Sequence, residues 1–371
     1  FAGNEEWTRE VMPVGRTNPF QIDGLVAFIR QTYMPDDHGH FTHEHKNALP
    51  GQWTQLEAFD LKTGEAKWET RCGVNMGAMP LLQTLSDGRR VIVVGRGGGH
   101  SPPEKPEGIS LVDAADGSTI WTLPLTGFMS TMTFNIVRDQ VLVFHGPEHL
   151  WVDAMTGEIT RRVSITEDVP VRVRAGNSWA TESKSLNGKN KREIIQQSNM
   201  LVGQHHYFRS YTQPWLGRVH TKTGKVEYLQ LPVQSIPGTT RADDRLLWSP
   251  NDLSAEQIAE LSKGGRKKKA PKTLPITKWA FSLNDMKNSR GYVVMGDARS
   301  KGNGWGHQAS AIPTAIGDYL FVPVMSGNVY VLRHAAETLD ENALVSMNDL
   351  GPIDQSWTRA SISYSRGKLY A

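Results

Sequence analysis

Apolar residues in this chain fall into short runs rich in Val and aromatic side chains, and each run stops at Gly, Asp or Pro. RRVIVVG at 89–95, QVLVFHG at 140–146, GYVVMG at 291–296 and DYLFVPV at 318–324 are the clearest. Runs of this length and composition, bounded by turn formers, predict the inner strands of sheets. One segment breaks the pattern. In NDLSAEQIAELSKGG, Ser254 and Gln257 have capping-box spacing, Leu253 and Ile258 can form a hydrophobic staple, and Gly264 can end a helix, so a short helical insertion is expected near 254–262.

Between the apolar runs the same phrase recurs as AFDLKTGEAKW at 58–68, LVDAADGSTIW at 111–121, WVDAMTGEITR at 151–161 and RVHTKTGKVEY at 218–228. Each reads as a strand ending in Asp or His, a turn closing on Gly, and a second strand. The side chains of Asp60, Asp113 and Asp153 can accept turn N–H groups, and Gly64, Gly117, Gly157 and Gly224 occupy a position suited to positive φ. The unit is therefore a hairpin. Trp68 and Trp121, four residues past the Gly, are too large for one hairpin to bury, so neighbouring units must stack on them.

Successive turn residues are 53, 40 and 67 positions apart, and a fainter unit, GNVYVLRHAAETL at 327–339, places Arg333 113 positions beyond His220, which leaves room for one unrecognised unit. A strand-rich period of roughly 40–55 residues predicts four-stranded antiparallel propeller blades rather than a helical solenoid. At about 53 residues each, the 371-residue chain would make one all-β, seven-bladed propeller spanning 1–371, with eight blades as the alternative.

The pattern A-x-D-x-x-x-G-x-x-x-W, intact as Ala58, Asp60, Gly64 and Trp68, resembles the repeat of the quinoprotein-like (PQQ-like) β-propellers. The resemblance covers 58–228, with an echo at 311–339. That superfamily includes quinone-dependent alcohol dehydrogenases and non-catalytic, BamB-like propellers. It implies that the motif residues dock blade on blade, and that the chain works outside the cytoplasm, in the periplasm or secreted. Its dehydrogenases carry adjacent cysteines beside the quinone. Cys72 is the only cysteine here, so PQQ is not the expected cofactor.

Composition narrows the picture a little. One cysteine excludes an intramolecular disulfide, and no stretch is long and apolar enough to span a membrane as a helix. A net charge of +3 on 41.3 kDa gives no reason to expect a nucleic-acid partner. The start without Met and the stop at GKLYA suggest a piece of a longer or processed chain, working as a monomer or within a larger assembly.

Candidate chemistry sits in the histidines. Four of the 12 lie in DDHGHFTHEH, among them His38 and His40, while His100, His145, His205 and His307 neighbour strand patterns and Gly. Imidazoles converging from several blades could hold a transition metal, the one cofactor these residues suggest. Loop or hydrogen-bonding roles account for the same residues equally well. In RGGGHSPPEKPEG, Arg96, His100, Glu104 and Lys105 could form a rim contact for an anionic or sugar-like ligand, or simply link two blades. Trp305 in GNGWGH, and Trp215, could stack on a sugar. The run Arg266, Lys267, Lys268, Lys269 and Lys272 reads as a solvated loop. Two functions stay open. The first is a binding module presenting a face or funnel to a protein or carbohydrate; the second is a metal-dependent lyase or oxidoreductase with a histidine cluster at the channel mouth.

Overall fold

The computed structural model describes residues 6–9, 19–31, 54–74, 79–96, 106–128, 133–176, 178–186, 198–209, 214–232, 234–236, 245–247, 311–324, 327–350, 358 and 360–371. Among them the chain is almost wholly strand, in two compact units, Phe1–Val163 and Ser164–Ala371.

The first unit holds three four-stranded antiparallel meanders. They are β1 (Phe20–Ile22), β2 (Leu25–Gln31), β3 (Thr54–Asp60) and β4 (Ala66–Glu69); β5 (Leu81–Thr84), β6 (Arg90–Arg96), β7 (Gly108–Asp113) and β8 (Thr119–Pro124); and β9 (Asn135–Val137), β10 (Gln140–His145), β11 (Glu148–Asp153) and β12 (Ile159–Ser164). This is the blade unit of a β-propeller. The middle strands β6, β7, β10 and β11 are buried on both faces, whereas β12 is half-exposed, which explains why the former read as unbroken apolar runs. One core cluster joins the first two sheets, with Ile29, Leu56 and Trp68 from the first against Ile92, Val94 and Val112 from the second.

In the second unit β13 (Val169–Ala175) and β14 (Ser178–Lys184) form a hairpin ahead of the next meander. That meander is β15 (Met200–Val202), β16 (His205–Arg209), β17 (Trp215–His220) and β18 (Val226–Gln230). Strand β13 pairs in parallel with β18 and extends this sheet to six strands. This inserted hairpin accounts for the long 67-residue step in the repeat. After the pair β19 (Gln234–Ile236) and β20 (Arg245–Leu247) comes another meander, β21 (Thr314–Ile316), β22 (Tyr319–Pro323), β23 (Asn328–Arg333) and β24 (Leu344–Asp349), then the hairpin β25 (Ser363–Ser365) and β26 (Lys368–Tyr370).

The sheets on either side of the stretch between His220 and Arg333 share a core. The β15–β18 sheet packs directly on the β21–β24 sheet, through Tyr207, Leu216 and Leu229 against Leu320, Val322 and Tyr330. Of residues 233–310 the structure describes only β19 and β20. The described residues contain five four-stranded meanders. The helix expected at 254–262, the basic run and the strand expected at 291–296 lie outside the described residues.

Candidate functional site

The repeated turns have the geometry their sequence calls for. Asp60 Oδ1 accepts the N–H groups of Lys62 and Thr63, both at 2.9 Å, and those bonds hold its carboxyl below the usual carboxylate range. Asp153 Oδ1 does the same for Met155 and Thr156 at 2.8 and 2.9 Å, and Asp113 Oδ1 takes Ala115 at 2.8 Å. In the fourth turn His220 Nδ1 stands in for the carboxylate and accepts Lys222 and Thr223 at 3.3 and 3.1 Å. Gly64, Gly117, Gly157 and Gly224 have φ of 70°, 75°, 78° and 75°. These residues are spent on structure.

The glycines also receive the tryptophans. A Cβ added to Gly117 would lie 2.7 Å from the Trp68 ring, and one added to Gly157 would lie 2.8 Å from Trp121. Each tryptophan therefore lies flat on the turn of the next sheet. Trp121 Nε1 also donates to Ala154 O at 2.9 Å. A third lock was not singled out from the sequence. Trp7 covers Gly64, where an added Cβ would lie 2.6 Å from its ring, and donates to Leu61 O at 2.9 Å, while Arg9 caps Phe59 at 4.5 Å. The signal was present as GNEEW, in which Trp7 follows Gly3 by the four positions that separate Gly64 from Trp68.

In the second unit arginines add polar ties to the apolar core. Arg218, with no exposed side-chain surface, pairs with Glu227 at 2.7 Å. It also donates to Ala336 O at 2.7 Å, Glu337 O at 2.9 Å and the Tyr207 hydroxyl at 3.3 Å. Tyr207 in turn donates to His334 O at 2.8 Å. Burial pushes the Glu227 carboxyl up, but Lys225 and Arg218 outweigh it and leave it below its ordinary value. Arg209, lowered to about 9 by burial, donates to Pro323 O at 3.0 Å. Arg172 grips Glu341 through two bonds of 2.7 and 2.6 Å. Sequence alone reads such arginines as surface charge, because the carbonyls they serve belong to another sheet.

The histidine candidates are placed as follows. His145 ends β10, and its Nε2 lies 3.0 Å from Thr126 O. His205 begins β16, the equivalent second strand of its own meander, and so occupies the opposite strand end, beside the tight turn. It faces His220 across the β16–β17 pair with ring centroids 5.2 Å apart, and burial, then Arg218 and His220, lower it to about 4. His206 is fully buried, lies 2.8 Å from Asn199 Oδ1, and is lowered by burial to about 3. Among the described residues no three His, Cys, Asp or Glu side chains stand close enough to share a metal ion. Arg96 is turned inward, 6% exposed, with Nη1 3.4 Å from Thr122 Oγ1, rather than reaching out from a rim. Trp215 is half-buried at the start of β17. His38, His40, His100, His307, Glu104, Lys105 and Trp305 lie outside the described residues.

The strand bounds still locate the connections that carry the unusual chemistry. Residues 32–53, which contain DDHGHFTHEH, link β2 to β3, and residues 97–107, which contain GGGHSPPEKPE, link β6 to β7. His145 stands at the same point of the third sheet, where β10 turns into β11. All three are second-to-third-strand connections of sheets joined by the Trp68 and Trp121 locks, at the end opposite the Asp–Gly turns.

Comparison with known proteins gives fold-level likeness only. No family model matches, and no curated protein matches. Solved structures similar to the chain include BamB from Moraxella catarrhalis, at 13% identity and TM-score 0.38, covering 85% of this chain and 75% of that one. The computationally designed Ika8 protein matches at 9% identity and TM-score 0.42, over 95% of this chain and 65% of its own. A europium-containing methanol dehydrogenase matches at 11% identity and TM-score 0.46, over 90% of this chain, which spans 51% of that enzyme.

Proposed function

We propose that the chain is a binding module in which one rim of the first unit, made by the second-to-third-strand connections of its three sheets, receives a protein or carbohydrate ligand. The observation that carries the reading is positional. The His-rich and Gly/Pro-rich segments occupy equivalent connections of neighbouring sheets, whose relative placement is fixed by tryptophan locks. Rigid sheets holding variable connections at one end are a general device for recognition. The turn carboxylates and tryptophans at the other end are committed to the fold. Among the described residues no helix is long and apolar enough to cross a membrane, and an extracytoplasmic setting agrees with this reading.

The test replaces residues 98–106 in the full chain by a Gly-Ser linker and, separately, makes His145→Ala. Binding of neutral and anionic hexasaccharides and of an immobilised peptide array is then measured by calorimetry and surface plasmon resonance. Saturable micromolar binding of one class, weakened at least about tenfold by the linker variant, supports the proposal. Binding that neither variant alters, or no binding to either class, overturns it.

A further inference from the structure

The fourth turn differs from the first in the chemistry of one acceptor. Asp60-Leu61-Lys62-Thr63-Gly64 and His220-Thr221-Lys222-Thr223-Gly224 are nearly the same sequence in the same conformation. In both, the N–H groups two and three residues on converge on the first side chain. A carboxylate goes on accepting until the pH falls to about 4. An imidazole accepts only through an unprotonated nitrogen, so the proton of neutral His220 belongs on Nε2. Protonating Nδ1 converts the acceptor into a donor that faces two donors, and an unperturbed imidazole takes that proton near pH 6.5.

We propose that the His220 turn is an acid-released latch: protonation of the ring breaks both of its backbone hydrogen bonds and opens the β17–β18 end, while the three Asp turns stay closed. Titratable and charged groups surround the ring. His205 presents its ring edge-on from β16, Arg218 lies two residues back on β17, and Lys222 and Lys225 belong to the turn. His334 comes from the adjoining sheet and acts on His205. Glu227 on β18, the one carboxylate of this group, is already shared by Arg218 and Lys225.

The latch is coupled to a seam. Arg218 and Glu227 flank the turn on its two strands, and Arg218 holds the carbonyls of Ala336 and Glu337 on the neighbouring sheet. Opening the turn frees the end of the hairpin that carries this lock. Acidification therefore loosens the seam between the β15–β18 and β21–β24 sheets from its edge.

The experiment uses the full chain labelled with ¹⁵N. Imidazole ¹⁵N shifts should show His220 with its proton on Nε2 at about pH 7.5. Amide-exchange protection at Lys222 and Thr223 should fall at least about tenfold on going to about pH 5, with no such fall at Lys62 and Thr63. His220→Asp should remove the part of this fall that is confined to Lys222 and Thr223. A proton on Nδ1 at neutral pH, undiminished protection in acid, or an equal fall in His220→Asp would each overturn the proposal. If His220→Asp does not fold, the tautomer and the comparison with Lys62 and Thr63 decide alone.

Discussion

The two units solve the same problem with opposite chemistry. In Phe1–Val163 sheet is joined to sheet by a tryptophan lying on a glycine, as Trp68 lies on Gly117 and Trp121 on Gly157. In Ser164–Ala371 the seam between the β15–β18 and β21–β24 sheets is crossed by Arg218 and Arg209 donating to carbonyls, with Tyr207 beside them. The first kind of lock is apolar and indifferent to pH, since it depends on area and shape. The second relies on buried charge and is only as stable as its full set of partners. A tryptophan can be trimmed and leave a cavity. Removing Arg218 leaves two carbonyls without their donor and Glu227 with Lys225 alone.

That contrast ranks the expected effects. Arg218→Ala should cost about 3–5 kcal/mol, the range for breaking a buried pair, and Arg218→Lys should rescue little because an ammonium cannot reach Glu227, Ala336 and Glu337 together. Trp121→Ala should fall in the same range or just below, about 3–4 kcal/mol, from the emptied aromatic site and the lost bond to Ala154 O. Urea unfolding of each variant checks both figures. If the arginine substitution proved neutral, the polar seam would be ornamental.

Acid should separate the units further. His205 and His206 stand at about 4 and 3 in the fold, below the ordinary value of 6.5. The stability tied to their neutral forms is fully present above about pH 6.5 and is lost as pH falls through those values. On the order of 3 kcal/mol should go between pH 7 and pH 4, less than the shifts alone would suggest because His205 is half-exposed. Differential scanning calorimetry across this range tests the slope. A Tm that holds steady down to pH 4 would remove the distinction. Smaller again is Gly157→Ala, which places a Cβ 2.8 Å from Trp121 at a φ of 78° and should cost about 1–3 kcal/mol. In the β-turn of Gly146, where nothing lies within 4 Å of an added Cβ, the same change should cost about 1 kcal/mol, from positive φ alone.

The contrast also explains what the sequence could disclose. The hairpins at 58–68, 111–121, 151–161 and 218–228 were legible because their signals are local: an acceptor, a glycine four residues later and a tryptophan four beyond that. The role of Trp68 followed from its size. Trp7 went unnoticed because only the second half of the phrase surrounds it. Arg218 and Arg209 were hidden for a different reason, since the carbonyls they serve across the seam lie over 100 positions away. The seam between the β15–β18 and β21–β24 sheets was not legible because its two sides are far apart in the chain. Of the candidate site, Asp60, Asp113 and Asp153 accept turn N–H groups, the glycines take positive φ, and Arg96 turns inward to meet Thr122.

The difference between the units is tested most directly by amide exchange of the full chain, read by mass spectrometry segment by segment at about pH 7.5 and about pH 4.5. The account predicts that β16–β18 and β22–β23 lose protection in acid while β6–β8 keep theirs. Equal loss in both units, or earlier loss around Trp68 and Trp121, would contradict it.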